Sequence, residues 1–211
     1  MPATLHPTSV SIPTEAAPGF RIGADLYLAS LRRQLDALDL DALARITRRF
    51  RDARDVGATI YVAGNGGSAA TATHWVNDLC KAATRSGRAR IRAMCLSDST
   101  SWLTALSNDE GYERSFAGQL ETFTRPGDVL ALISASGNSP NLLAATRTAR
   151  DLGASTVALL GFDGGALREM VDDYLLVPTP IGEYGLVESV HSVAADLVTT
   201  YLIADRPDVP G

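Results

Sequence analysis

The sequence predicts an α/β fold, a doubly wound parallel sheet of five strands flanked by helices with a helical pair in front, on three observations. Short apolar runs alternate with helix-length segments from about residue 58 onward. Two of those runs, Thr59-Ile60-Tyr61-Val62-Ala63 and Val129-Leu130-Ala131-Leu132-Ile133, stop abruptly at glycine- and serine-rich turns. The 18 glycines and 6% aromatic residues suit a protein whose backbone corners, rather than aromatic surfaces, face a ligand.

Each element follows in order. Residues 1–20, with prolines at 2, 7, 13 and 18 and scattered Ser and Thr, are expected to form a flexible leader; it contains His6, to which no role is given. Over 22–40, Leu26, Leu28, Leu31, Leu35 and Leu38 recur at roughly helical spacing, and Leu43, Ile46 and Phe50 do so over 41–54. These two amphipathic helices can pack on the sheet or on another subunit. Strands are expected at 58–63, 91–96, 128–134, 155–160 and 173–177. Helices are expected at 67–83, 99–107, 112–124, 139–152, 165–170 and 186–204. The 84–90 segment, Thr-Arg-Ser-Gly-Arg-Ala-Arg, is expected to be a solvated basic loop, within reach of an anionic ligand through one arginine. Pro178, Pro180 and Gly182 break the chain before the last helix, and 206–211 is expected to fray.

A chain of 211 residues, 45% hydrophobic, buries a full core most simply as one domain, here 21–205. Its net charge of −5 gives no basic footprint for nucleic acid. Cys80 and Cys95, without CxxC spacing, argue against a disulfide framework or a thiolate zinc site and point to a reducing cytoplasm. No basic-then-apolar leader and no apolar run of about 18 residues is seen, so no membrane partner is expected.

The first turn, Gly64-Asn65-Gly66-Gly67-Ser68, lets backbone N–H groups approach a ligand at the start of a helix, with Ser68 placed to cap it. Farther along, His74 and Asp78 stand four residues apart and share a face. The second turn, Ser134-Ala135-Ser136-Gly137-Asn138-Ser139, offers three hydroxyls and a helix mouth, which suits a phosphate without a lysine. A packing turn without a ligand explains either turn singly. Both at strand ends of one parallel sheet favour a phosphorylated small molecule.

Gly64-x-Gly66-x-x-Ala69 formally satisfies a dinucleotide fingerprint, but the acid expected about 20 residues on is absent; Asp98 lies 34 past Gly64. A Walker A loop fails because no Gly-Lys-Ser/Thr follows. On the last helix, about 100° per residue separates Glu188 from His191 by about 60°, Glu188 from Asp196 by about 80° and His191 from Asp196 by about 140°, so the three cannot all face one site. Spacing alone favours Glu188 as a first-turn acid on the helix dipole, with His191 and Asp196 at the surface or in satisfied polar contacts.

The run Gly64 to Ser68 with His74-x-x-x-Asp78, then Ser107-Asn108-Asp109, the turn Ser134 to Ser139, and Glu188 with Asp196 resemble the sugar isomerase (SIS) domain over about residues 25–205. Within it the nearest pattern is the phosphoheptose isomerase family, which converts sedoheptulose 7-phosphate to a manno-heptose 7-phosphate. The resemblance implies a SIS fold in which Asn65, Gly66, Gly67, Asn108 and Asp109 touch sugar and Ser134, Ser136 and Ser139 grip phosphate. Ser68, Ala135 and Glu188 complete that substrate-binding set. It also implies zinc at His74, Asp78, Glu188 and Asp196, in a cytoplasmic homotetramer with sites at subunit contacts. The family usually has Glu where Asp78 stands, often Gln at Glu188 and His at Asp196; all three replacements still ligate a metal. A family arginine is Ala82 here, and a family aspartate is Gly185.

Aldose–ketose isomerisation through an enediol needs a base at C1/C2 and stabilisation of charge on oxygen. The resemblance makes Asp78 the base and sets Asp196 in place of the acid histidine; water at the metal or His191 are other proton carriers. Two rivals stand beside this reading: a non-catalytic SIS module that binds a sugar phosphate or a partner protein, and an isomerase of a different sugar phosphate.

Overall fold

The computed structural model describes residues 18–205. Helix α1 (Pro18–Asp36) begins inside the stretch expected to be a leader, where the fixed φ of proline suits a first helical residue. Residues 1–17, with His6, and the 206–211 tail lie outside the described residues. α2 (Leu40–Val56) is capped at both ends: the Asp39 carboxylate accepts from the Ala42 N–H at 2.9 Å, and Gly57 closes the helix in the left-handed conformation. Then come β1 (Thr59–Gly64), α3 (Gly67–Lys81), β2 (Arg92–Cys95), α4 (Thr100–Asp109), α5 (Ala117–Phe123), β3 (Val129–Ser134), α6 (Pro140–Asp151), β4 (Ser155–Gly161), β5 (Asp173–Val177) and α7 (Tyr184–Ala204).

The five strands are all parallel, in the order β2-β1-β3-β4-β5. Alternate strand residues feed two cores. Ile60, Val62, Val129, Ala131, Ile133, Val157 and Leu159 face α2, α3 and α7, where Trp75 tilts against Phe50 at 5.1 Å. Tyr61, Ala63, Leu130, Leu132, Ala158 and Leu160 face α5 and α6 on the other side. With both faces covered, β3 is buried throughout and reads as one apolar run. The direction of winding across the sheet reverses between β1 and β3: β1 continues outward to β2, while β3 continues to β4 on the opposite side. Their carboxyl ends, which carry the two turns, therefore flank the switch-point crevice.

Several expectations are corrected. The segment 112–124 is not one helix; a 3₁₀ turn at Tyr112–Arg114 precedes α5, after Gly111 turns the chain at φ +95°. The expected 165–170 helix is a 3₁₀ turn, Ala166–Glu169. The basic stretch is not simply a solvated loop. Ala82–Ser86 forms a 3₁₀ turn with Ser86 buried, and the Arg88 guanidinium donates to the Asp205 backbone at 3.0 Å and pairs with its carboxylate at 3.3 Å. Buried Arg54 reaches the same carboxylate at 2.8 Å, so the end of α7 is tied to α2. α7, 21 residues long, is apolar enough by length and composition to cross a membrane, contrary to the sequence count; here half of its most apolar window is buried against the sheet and α3.

Candidate functional site

The crevice at the switch point is built from both turns. A cleft of about 180 Å³ is lined by Asn65, Ser68, Ser134, Ala135, Ser136, Ser139, Tyr184 and Glu188, with Ile133 and Leu142 at its base. Ser68 does not cap α3 as expected. Gly66 is the N-cap and Ser68 the second helical residue, because the chain enters the helix through Gly66 at φ +55°. Gly67 leaves room for the Glu188 carboxylate, which leans over this turn: a Cβ there would lie 2.5 Å from Oε1 and the Glu188 side chain would have to move aside.

In the second turn the Gly137 N–H donates to the Ser134 hydroxyl at 3.0 Å and the Asn138 N–H to Ser136 at 3.3 Å. Two of the three serines thus shape the loop while lining the cleft. Ser139 is the N-cap of α6 and makes no side-chain capping bond, so its hydroxyl and the helix mouth are available to an anion. A second layer holds this loop: the Asn138 amide oxygen accepts from the Ala166 N–H at 2.9 Å, and the Gly137 carbonyl accepts from the Leu167 N–H at 3.0 Å.

The second group of side chains lies farther along α3 and α7. One ligand atom each from His74, Asp78 and Asp196 falls within 4.8 Å of the others, with His74 Nε2 3.4 Å from Asp78 Oδ2. One imidazole and two carboxylates at this separation suit a divalent cation. Glu188 is not in that group; it belongs to the serine cleft, while its helix neighbour two turns on, Asp196, turns to α3. Asn108 and Asp109 are exposed at the end of α4, where the Asn108 amide donates to Asp109 at 2.7 Å.

His191 is neither at the surface nor in a satisfied contact. It is fully buried, and neither ring nitrogen finds a hydrogen-bond partner; the backbone of Leu160 favours the charged ring slightly without meeting hydrogen-bond geometry. Being enclosed in the core, it does not carry a substrate proton. Burial pushes its pKa from 6.5 down to about 4. The folded state therefore binds fewer protons than the unfolded chain between those values, so stability is complete above pH 6.5 and falls as pH drops toward 4. The loss is about 3 kcal/mol. Urea titrations of wild type and His191→Phe at pH 7 and pH 4.5 check this: the variant is expected to lose less stability on acidification, and equal losses would rule the histidine out as the cause.

Sequence reasoning missed Asn141 and Tyr112. Asn141 is fully buried and exchanges two 2.9 Å hydrogen bonds with Asn65, and the Tyr112 hydroxyl donates to Asn65 Oδ1 at 2.9 Å. Asn141 carries a signal, a polar residue in the apolar face of α6; Tyr112 carries none. Tyr184 also lines the cleft, held edge-on by Phe162 at 5.0 Å, and Phe162 has φ +53°.

Comparison with known proteins gives consistent matches. The SIS domain family matches residues 26–161. The chain is 41% identical over 154 residues to a phosphoheptose isomerase of Chlorobaculum parvum, covering 72% of this chain and 74% of that protein. It is 35% identical over 199 residues to the lincomycin biosynthesis protein LmbN of Streptomyces lincolnensis, covering 90% and 71%. The solved structure of phosphoheptose isomerase GmhA from Neisseria gonorrhoeae superposes with a TM-score of 0.80 at 26% identity, covering 89% of this chain and all of that one.

Proposed function

The chain belongs to the phosphoheptose isomerase family of SIS domains, and on that premise we propose that it interconverts sedoheptulose 7-phosphate and D-glycero-D-manno-heptose 7-phosphate. The observation that carries this reading is the convergence of the serine cleft and the Gly64–Gly67 turn at one switch point, with Glu188 of α7 lining the cleft and the His74, Asp78 and Asp196 group farther along the same two helices. Ser134, Ser136 and Ser139 and the α6 mouth hold the phosphate. Asn65, the Gly66 and Gly67 backbone, Ser68, Ala135, Asn108 and Asp109 surround the sugar, and Glu188 overhangs it.

Isomerisation removes a proton from one of two adjacent carbons, passes through an enediol, and returns a proton to the other. Asp78 takes the carbon proton. Asp196 faces it from α7 and serves the oxygen side, since His191 is sealed in the core. His74, Asp78 and Asp196 fit a zinc ion, which when bound would polarise the carbonyl as a Lewis acid.

The protein acts as a cytoplasmic homotetramer. Support for self-association lies in the apolar side chains α1 leaves exposed, Phe20, Ile22, Leu26 and Leu28, and in an apolar groove of about 410 Å³ between α2 and α7 bordered by Leu40, Leu43, Leu197 and Tyr201. Two unpaired cysteines agree with a reducing compartment. Neither nucleic acid nor membrane is a partner.

A second substrate reading, a different sugar phosphate, is favoured by the departures at positions 78, 188 and 196. Incubation with sedoheptulose 7-phosphate, with and without a chelator, decides. Turnover that chelation abolishes is expected for wild type and is expected to fall in Glu188→Ala, which removes the group that overhangs the Gly67 turn. Thermal stabilisation by the sugar phosphate without turnover would instead identify a binding module.

A further inference from the structure

We propose that Asn141 and Tyr112 are positioning residues that lock the Asn65 amide in one orientation, so that the site addresses its sugar at this point through an N–H donor and rejects a ligand offering a donor there. The inference rests on the sugar-phosphate reading of the cleft. Asn65 Oδ1 accepts from Asn141 Nδ2 and from the Tyr112 hydroxyl, both at 2.9 Å, which uses both of its lone pairs. Asn65 Nδ2 gives one hydrogen to Asn141 Oδ1 at 2.9 Å. Its second hydrogen has no partner among the described residues, and Asn65 lines the cleft.

The lock is anchored in the core. Asn141 is fully buried, and its Nδ2 also reaches the buried Ser115 hydroxyl at 3.3 Å. Asn141 belongs to the first turn of α6, directly after the phosphate loop, and Asn65 to the turn after β1, so the reciprocal amide pair also joins the two halves of the crevice. A rotated Asn65 would set its NH₂ beside the Asn141 NH₂ unless Asn141 rotated with it, and an unmatched donor in this enclosed pair is costly.

Asn141→Asp tests the lock because its carboxyl matches Asn141 only when protonated. Protonated, it donates to Asn65 Oδ1 as the amide does; ionised, it sets an acceptor against an acceptor, and burial raises the pKa at which the change occurs. KM and kcat for sedoheptulose 7-phosphate are measured for wild type, Asn141→Asp and Tyr112→Phe from pH 6 to 9, together with the thermal shift produced by inorganic phosphate. The variant-to-wild-type KM ratio for Asn141→Asp is expected to be about a hundredfold at pH 9 and to shrink steadily toward pH 6. The ratio cancels the titration of the substrate phosphate and of wild-type groups. Tyr112→Phe, at an exposed position that leaves folding intact, is expected to raise KM about fivefold with little change in kcat. The phosphate shift is expected to persist in both variants. A pH-independent ratio for Asn141→Asp, or wild-type KM for Tyr112→Phe, overturns the proposal while leaving the isomerase reading in place. A wild type that neither turns over nor is stabilised by the sugar phosphate overturns the isomerase reading, and the inference falls with it.

Discussion

Replacing Asp78 by Asn is expected to lower kcat about a thousandfold, within the range contributed by a positioned general base. The substitution conserves shape and removes charge. Asp78 is half-buried on α3, with Oδ1 accepting from the Asn77 amide at 3.0 Å and Oδ2 beside His74. Its carboxylate is therefore oriented before substrate arrives. Phosphate-induced thermal stabilisation is expected to survive in Asp78→Asn, because Ser134, Ser136 and Ser139 lie on a different loop. Metal content is measured alongside, since Asp78 also belongs to the three-residue cation group. A variant that keeps its metal and loses turnover separates proton abstraction from ligation. Retention of more than a tenth of wild-type kcat would remove Asp78 as the base.

The second large effect is structural. Gly137→Ala is expected to cost about 3 kcal/mol, from a left-handed backbone disfavoured for alanine together with a backbone displacement. Gly137 has φ +62°, and a Cβ there would lie 1.9 Å from the Gly164 carbonyl oxygen, a backbone atom that cannot rotate away. The same residue donates to Ser134 and accepts from Leu167, so the displacement reaches both the serine loop and the 3₁₀ turn behind it. For a chain of this size the melting temperature falls by roughly 6–12 °C. Gly57→Ala is the control: φ is +72° but nothing lies within 4 Å of the added methyl, so about 1 kcal/mol of backbone cost is expected alone. Equal melting temperatures for the two variants would show that the contact with Gly164 is not held rigidly.

Much of this architecture is legible in the residue pattern because its causes are local. The unbroken run Val129 to Ile133 reports a strand buried on both faces, and glycine at 64, 66 and 67 reports a corner that must approach something closely. The serine turn, read as polar from its hydroxyl density, lines the cleft at the switch point. The same local logic misjudged Ser68 as a cap, because Ser, Asp and glycine can all begin a helix and the backbone at Gly66 made the choice. It also misjudged His191. α7 is apolar around most of its circumference, so angular spacing among Glu188, His191 and Asp196 fixes their separation and leaves open which stripe enters the core.

The sequence by itself determined a parallel α/β sheet with two glycine- and serine-rich turns at strand ends and a His–Asp pair on the first of its crevice helices, since periodicity and turn chemistry act between residues close in the chain. Only the tertiary structure decided that Asp196 joins His74 and Asp78, that Glu188 overhangs Gly67 instead, and that Asn141 grips Asn65 across 76 positions. Those pairings depend on the rotation of α7 and on strand order, which are set by the packing of whole elements against one another and leave no trace in the spacing of any single segment.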